Sequence, residues 1–151
     1  MAADNAVLPS TPGTGRRIVL TTVSSDAHTW NLVFLALLLE EYGHTVTNLG
    51  PCVPDDVVIE ACLRTEADAL VVSTVNGHGV IDGARLIERV RREVGSIPAV
   101  IGGKLTTVGE SGHELSARLL DTGFDTVFLG GSDLDGLTRF LDSATRSLVR
   151  A

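Results

Sequence analysis

The sequence predicts an α/β protein built on a five-stranded parallel sheet, and three observations carry the prediction. Five apolar runs of strand length recur along the chain, each followed by a segment whose apolar residues have helical spacing. The composition is 44% hydrophobic yet holds only six aromatics (one Trp, one Tyr, four Phe), so aliphatic residues must fill the interior, as in parallel strands covered on both faces. A chain of 151 residues has room for one sizeable core and hardly for two.

Residues 1–15, MAADNAVLPSTPGTG, are small and polar with two prolines, and lack both the basic start and the apolar run of a signal peptide. They are expected to form a disordered leader, followed by one domain over residues 16–151. The first strand is Arg17–Val23 (RIVLTTV), and a polar loop leads from it into a helix over Asn31–Tyr42 that stops at Gly43. The second strand is His44–Leu49. Pro54 then opens a helix at a first-turn position, with Asp55 and Asp56 near its positive end. The third strand is Ala67–Ser73. The helix after it, Ile81–Val94, carries Leu86, Ile87, Val90 and Val94 on one face, and its Arg85, Arg89, Arg91 and Arg92 are expected to form a solvated face. Pro98–Gly103 is the fourth strand and is followed by a helix near Glu114–Asp121. Asp125–Gly130 is the fifth strand, and Leu134–Val149 closes the chain as a helix.

Strict strand–helix alternation implies right-handed crossovers and a flavodoxin-like (Rossmann-like) doubly wound sheet in the order 2-1-3-4-5, with helices on both faces. That order sets the first, third and fourth strands side by side at the sheet centre. Open α/β sheets bind ligands at the carboxyl ends of their strands. The three loops to inspect are therefore SSDAHTWN (Ser24–Asn31), STVNGHG (Ser73–Gly79) and GGKLTTVGESG (Gly102–Gly112).

Composition excludes several roles. Nineteen acidic against twelve basic residues give a net charge of −7, which repels a phosphate backbone and argues against nucleic acid. The longest apolar stretch, Leu32–Leu39, is far shorter than the roughly 20 residues needed to span a bilayer, so no membrane association is expected. Cys52 and Cys62 have no CxxC spacing and read as reduced thiols of a cytoplasmic protein.

Asp26 and His28 stand two apart ahead of a helix, a spacing that lets a carboxylate hold one ring nitrogen while the other faces a ligand. A capped helix start with an exposed histidine accounts for the pair equally well. Ser73 presents a hydroxyl at the sheet edge, or simply ends a strand. Gly102 and Gly103 give a large ligand access to the backbone, or make a tight turn. His78 and His113 lie in neighbouring loops, but no His or Cys pair has metal-ligand spacing.

Together, Asp26-x-His28, Ser73-x-Val75 and Gly102-Gly103 on five βα units resemble the cobalamin-binding family, with its DxHxxG, SxL and GG motifs. The likeness runs from Arg16 to the C-terminus and extends to the family of small glutamate mutase (methylaspartate mutase) subunits. It implies a cofactor whose dimethylbenzimidazole tail is detached from cobalt and buried beside the sheet, with a protein histidine in its place. His28 becomes the axial cobalt ligand, Asp26 its supporting carboxylate, and Ser73 the partner of the buried base beside Val75. Contacts to the cofactor are expected from Ser25, Asp26, Ala27, His28 and Thr29 in the first loop and from Ser73, Thr74 and Val75 in the second. In the third loop they are expected from Gly102, Gly103, Lys104, Leu105, Thr106, Thr107 and Val108. Two positions depart from the motifs: Val75 replaces the leucine, and Asn31 stands where the last glycine of DxHxxG is expected, with a tolerance for left-handed backbone that lets the loop keep its path.

The implied activity is that of an adenosylcobalamin-dependent isomerase converting L-glutamate to 3-methylaspartate with a separate large barrel subunit, the small chain being inactive alone. Two alternatives belong to other classes. A cobalamin carrier or sensor, or the corrinoid protein of a methyltransferase system, uses the same residues, although the latter usually has a helical domain for which the leader has no room. A phospho-receiver or flavodoxin shares the fold, but a receiver needs an acceptor aspartate where Ser73 stands, and a flavin site needs more rings than Trp30.

Overall fold

In a computed structural model of the chain, the structure describes residues 15–75, 79–103, 112–129 and 134–150. The strands are β1 (Arg17–Thr21), β2 (Thr45–Asn48), β3 (Ala69–Thr74), β4 (Ala99–Gly103) and β5 (Thr126–Leu129). They alternate with α1 (Trp30–Glu41), α2 (Asp55–Arg64), α3 (Gly79–Glu93), α4 (Gly112–Thr122) and α5 (Leu134–Arg150). All pairings are parallel and the order is β2-β1-β3-β4-β5, as the alternation predicts. The expected leader lies, apart from Gly15, outside the described residues.

The two-residue period of the strands divides the interior into two cores. Val19, Leu70, Val72, Ala99 and Ile101 pack against α2, α3 and α4. Ile18, Leu20, Ala69, Val71 and Val100 pack against Leu32 and Leu39 of α1 and Leu137 and Leu141 of α5. β3, the middle strand, is buried along its whole length, which is why ALVVST reads as a continuous apolar run rather than an alternation.

α1 departs from the amphipathic pattern. Besides its buried Leu32 and Leu39, it exposes Trp30, Val33, Phe34 and Leu37, a stripe at i, i+3, i+4, i+7 spacing on its outer side. No described helix is long and apolar enough to cross a membrane.

The arginines of α3 are not simply a solvated face. Arg91 is part-buried and donates to the carbonyls of Gly123, Gly95 and Ile97 and to Asp125, tying α3 to the start of β5. Arg85 bridges Asp55 of α2, Asp82 of its own helix and Ser24, and Arg89 pairs with Asp56 and Glu93. Arg92 and Arg85 are exposed, but Arg85 is held by its partners. Helical spacing assigns all four to the polar side, but Arg85, Arg89 and Arg91 each also reach a partner on another element, which periodicity does not report.

Candidate functional site

The strand ends of β1, β3 and β4 meet at one edge of the sheet, and the loop leaving β1 crosses it. Asp26 in that loop has no solvent exposure. A buried carboxylate is costly unless its oxygens accept hydrogen bonds, and Asp26 accepts four. Oδ1 receives the His28 backbone N–H at 2.9 Å and His28 Nδ1–H at 2.7 Å, while Oδ2 receives the Thr74 hydroxyl at 2.6 Å and the Val75 N–H at 2.9 Å. Burial raises the carboxyl pKa, but the bonds from Thr74, His28 and Val75 outweigh it, and the group is held at about 2.

That ionised acceptor decides the histidine's tautomer. An Asp26 carboxylate only accepts, so the Nδ1 facing it carries the proton and the lone pair of the neutral ring sits on Nε2. The His28 side chain is 63% exposed. The arrangement therefore offers an oriented imidazole lone pair at the sheet edge. The plainer alternative, a side-chain-capped helix start, is not what is found: Thr29 at the N-cap of α1 makes no side-chain cap bond, and the Asp26 carboxylate is turned to the His28 ring. Among the described residues no three His, Cys, Asp or Glu side chains converge as a metal cage, so a metal on Nε2 takes its other ligands from elsewhere.

The support beneath Asp26 was not legible in the motifs. β3 continues past Ser73 to Thr74, whose hydroxyl reaches Asp26 while its methyl and hydroxyl fill the space beside Gly79. A Cβ on Gly79 would lie 2.5 Å from Thr74 Cγ2, so the glycine opening α3 makes room for the group that holds the carboxylate. The other side of the loop is tied down by Ser25, which donates to Asp82, and by Arg85, which donates to Ser24. Ala27 and Thr29 are exposed beside His28.

On the α1/α5 side of the sheet the strand register assembles a second feature. Ser73 pairs with Gly102 and Gly102 with Phe128. Extending the Thr21–Val72 pairing by one residue sets Thr22 beside Ser73. Thr22, Ser73 and Gly102 thus form a transverse row of small and polar residues where the same face lower down is aliphatic. Gly103 has φ +118° and a Cβ there would lie 2.0 Å from the Thr74 carbonyl oxygen, so only glycine fits.

Asn31 does not use left-handed backbone: it sits in the first turn of α1, and the described non-glycine residues with positive φ are Cys52 and Glu66. What its side chain changes is the row below, because its Nδ2 donates to Ser73 Oγ at 2.8 Å. Asn31 Oδ1 and Thr22 Oγ1 are buried without a hydrogen-bond partner. Buried polar atoms are nearly always paired, so orphans at one spot mark a place where a polar ligand belongs. A heterocycle and sugar beside Ser73, with an imidazole at the rim, suit this arrangement, and the residues fit a cobalamin whose lower base has left the metal. The expected contacts Lys104, Leu105, Thr106, Thr107 and Val108 lie outside the described residues, as does His78; His113 is exposed on α4.

Known proteins give the same direction. Residues 16–133 match the B12 binding domain family. A glutamate mutase sigma subunit from Escherichia coli O157:H7 is 31% identical over 125 residues, covering 82% of this chain and 84% of its own length. One from Halobacterium salinarum is 36% identical over 112 residues, covering 74% of each chain. Among solved structures, a cobalamin-binding protein from Desulfitobacterium hafniense DCB-2 superposes with a TM-score of 0.67 at 21% identity, over 83% of this chain and 59% of that one. A Francisella response-regulator receiver domain superposes with a TM-score of 0.69 at 16% identity, over 89% and 99%. At such identities these two likenesses establish the fold alone, and receivers share it; the end of β3, Ser73-Thr74, offers no carboxylate for phosphorylation. By its domain match and its relatives at 31% identity and above, the chain belongs to the B12-binding domain family and, within it, to the family of glutamate mutase sigma subunits.

Proposed function

We propose that the chain is the cobalamin-binding small subunit of glutamate mutase, an adenosylcobalamin-dependent isomerase interconverting L-glutamate and 3-methylaspartate. It works with a separate large catalytic subunit that holds the substrate in a barrel and is inactive alone. The observation that carries this reading is the exposed His28 ring, its Nδ1 fixed by the buried Asp26 carboxylate at the carboxyl edge of a parallel sheet.

When bound, adenosylcobalamin supplies the cobalt–carbon bond whose homolysis starts the radical rearrangement. His28 would hold the cobalt through Nε2, with Asp26 keeping the ring in one tautomer and raising its basicity. Thr74 and the Val75 N–H hold Asp26 in turn, so the ligand rests on β3 rather than on its loop alone. Ser73 would hydrogen-bond the cofactor's base, and Gly102 and Gly103 would leave room for its tail beside the backbone. Ser25, Ala27 and Thr29 would border the corrin. The free thiols of Cys52 and Cys62 suit a cytoplasmic setting.

The test is reconstitution. Purified chain mixed with a competent large subunit and adenosylcobalamin should isomerise glutamate, and neither subunit should do so alone. Electron paramagnetic resonance of the reduced cobalt should show coupling to one imidazole nitrogen that vanishes in His28→Gly. No turnover beside an active control sigma subunit would rule out this substrate, and native protein isolated with methylcobalamin would point to methyl transfer instead.

A further inference from the structure

Asn31 departs from the motif glycine, and its side chain spends one end of its amide on Ser73 while the other end is buried and unmet. One residue outside the strand pairing, Thr22 is buried on the same side of the sheet and its hydroxyl is equally unmet. Both belong to the surface that contains Ser73, between the central strands and the start of α1. A bulky polar residue there has two opposed consequences. It either blocks the space a detached nucleotide needs or adds contacts to it.

The hydrogen-bond chemistry favours added contacts. Because Asn31 Nδ2 donates to Ser73 Oγ, the serine's own hydrogen is free to point at a ring nitrogen, which is what a detached base offers. Asn31 Oδ1 is then an acceptor in search of a donor. Dimethylbenzimidazole attached to its sugar carries no N–H, so the donors a nucleotide tail brings to this place are sugar hydroxyls. A hydroxyl-bearing sugar satisfies both orphan atoms, whereas a side chain that only fills the space leaves them to water.

We propose that Asn31 is a specificity-determining residue of the tail cleft: it aims the Ser73 hydroxyl at the base and, with Thr22, binds the sugar hydroxyls of the nucleotide. This rests on the cobalamin reading above and deepens it. The chain then discriminates between corrinoids with and without a nucleotide tail through residues that the family motifs do not name. Truncating either side chain removes an orphan atom from the free protein and a partner from the loaded one. At Thr22, stability of the empty chain and affinity for the tail should therefore move in opposite directions.

The experiment compares hydroxocobalamin with cobinamide, which has the corrin but no nucleotide, on the full chain and on Asn31→Ala and Thr22→Val. Binding is read from quenching of Trp30, the single tryptophan, and from the corrinoid spectrum. Each variant should lose about tenfold in affinity for cobalamin, the order expected when a buried polar partner is removed. Cobinamide affinity should stay the same, and the melting temperature of empty Thr22→Val should match or exceed that of the parent, whereas Asn31→Ala also gives up the bond to Ser73. Thr22→Val is nearly isosteric and keeps the test valid if Asn31→Ala folds poorly. Cobalamin affinity that is equal or higher in both variants, or a loss shared by cobinamide, overturns the role of Asn31 and Thr22 while leaving the proposed function intact. A parent chain that binds neither corrinoid overturns both.

Discussion

Replacing Asp26 by Asn isolates the part of the site that belongs to the protein alone. All four groups that meet this carboxylate are donors: the His28 N–H, His28 Nδ1–H, the Thr74 hydroxyl and the Val75 N–H. An amide has one accepting oxygen and one donating nitrogen, so whichever way it turns, its NH2 faces two donors. The Thr74 hydroxyl can rotate and the His28 ring can change tautomer to accept, but the His28 and Val75 backbone N–H groups cannot, so in either orientation one donor is left unmet at a cost of about 1–3 kcal/mol. The titration of Asp26 expresses the same four bonds as a pH dependence. Its carboxyl is held at about 2 instead of 3.8, which is worth about 2 kcal/mol of stability at neutral pH.

The direction of this shift fixes the pH dependence. A carboxyl pKa lowered by folding contributes stability that is complete above its ordinary value and is lost as pH falls through the folded one. Asp26→Asn should therefore unfold about 4–8 °C below the parent at pH 7, given the size of the chain. Urea titrations should show a deficit that is constant from neutral pH to about 5 and shrinks between about pH 4 and 2. An Asn variant as stable as the parent at pH 7, or a deficit unchanged at the acid end, would refute the account of the buried carboxylate. Corrinoid affinity should drop by about 10- to 100-fold in the same variant, the usual effect of losing a carboxylate behind a metal-bound histidine.

Other perturbations separate the remaining parts of the site. His28→Gly removes an exposed ring but also one of the four donors to Asp26, so the urea midpoint should fall moderately, while corrinoid binding weakens further than in Asp26→Asn and turnover with the partner nearly vanishes. Gly79→Ala places a Cβ 2.5 Å from Thr74 Cγ2; the stiff threonine must shift away from Asp26, with an expected loss of about 1–3 kcal/mol in urea unfolding and weaker corrinoid uptake. His44 accepts the Arg16 N–H at 3.1 Å, and burial, opposed by Asp142 and aided by Arg16, holds its pKa below 6.5. Its neutral form is thus favoured by folding, and stability should fall as pH drops below that value. His44→Asn keeps an acceptor without titrating, so its unfolding midpoint should change less between pH 7 and 5 than the parent's; equal slopes would contradict the assignment.

Most of the architecture is written in one dimension. Strand-length apolar runs alternating with helical spacing specify βα units, and the handedness of their crossovers leaves few sheet orders, so the order 2-1-3-4-5 and every element's place were legible to within a few residues. That Asp26 and His28 in the loop after β1 and Ser73, Gly102 and Gly103 at the ends of β3 and β4 share one edge was legible too, because chain connectivity brings those strand ends together. What the sequence could not contain is distance. That Asp26 accepts from Thr74 and Val75, nearly fifty residues away, follows from β3 lying beside β1, and Gly79 acquires its role only because Thr74 sits against it.

The arginines of α3 and the side chain of Asn31 make the same point from opposite directions. Helical periodicity puts Arg85 and Arg91 on the polar side, yet the structure sets them against carboxylates and carbonyls of other elements. Asn31 stood out in the sequence only as a missing glycine, with left-handed backbone as the expected issue. The structure makes it an ordinary helical residue whose amide crosses to Ser73. The sequence by itself determined which elements form and which loops share an edge, because both follow from local periodicity and chain connectivity. The tertiary structure decided which side chains meet and which buried polar atoms remain unmet, because hydrogen bonding between distant residues depends on their separation in space and not along the chain.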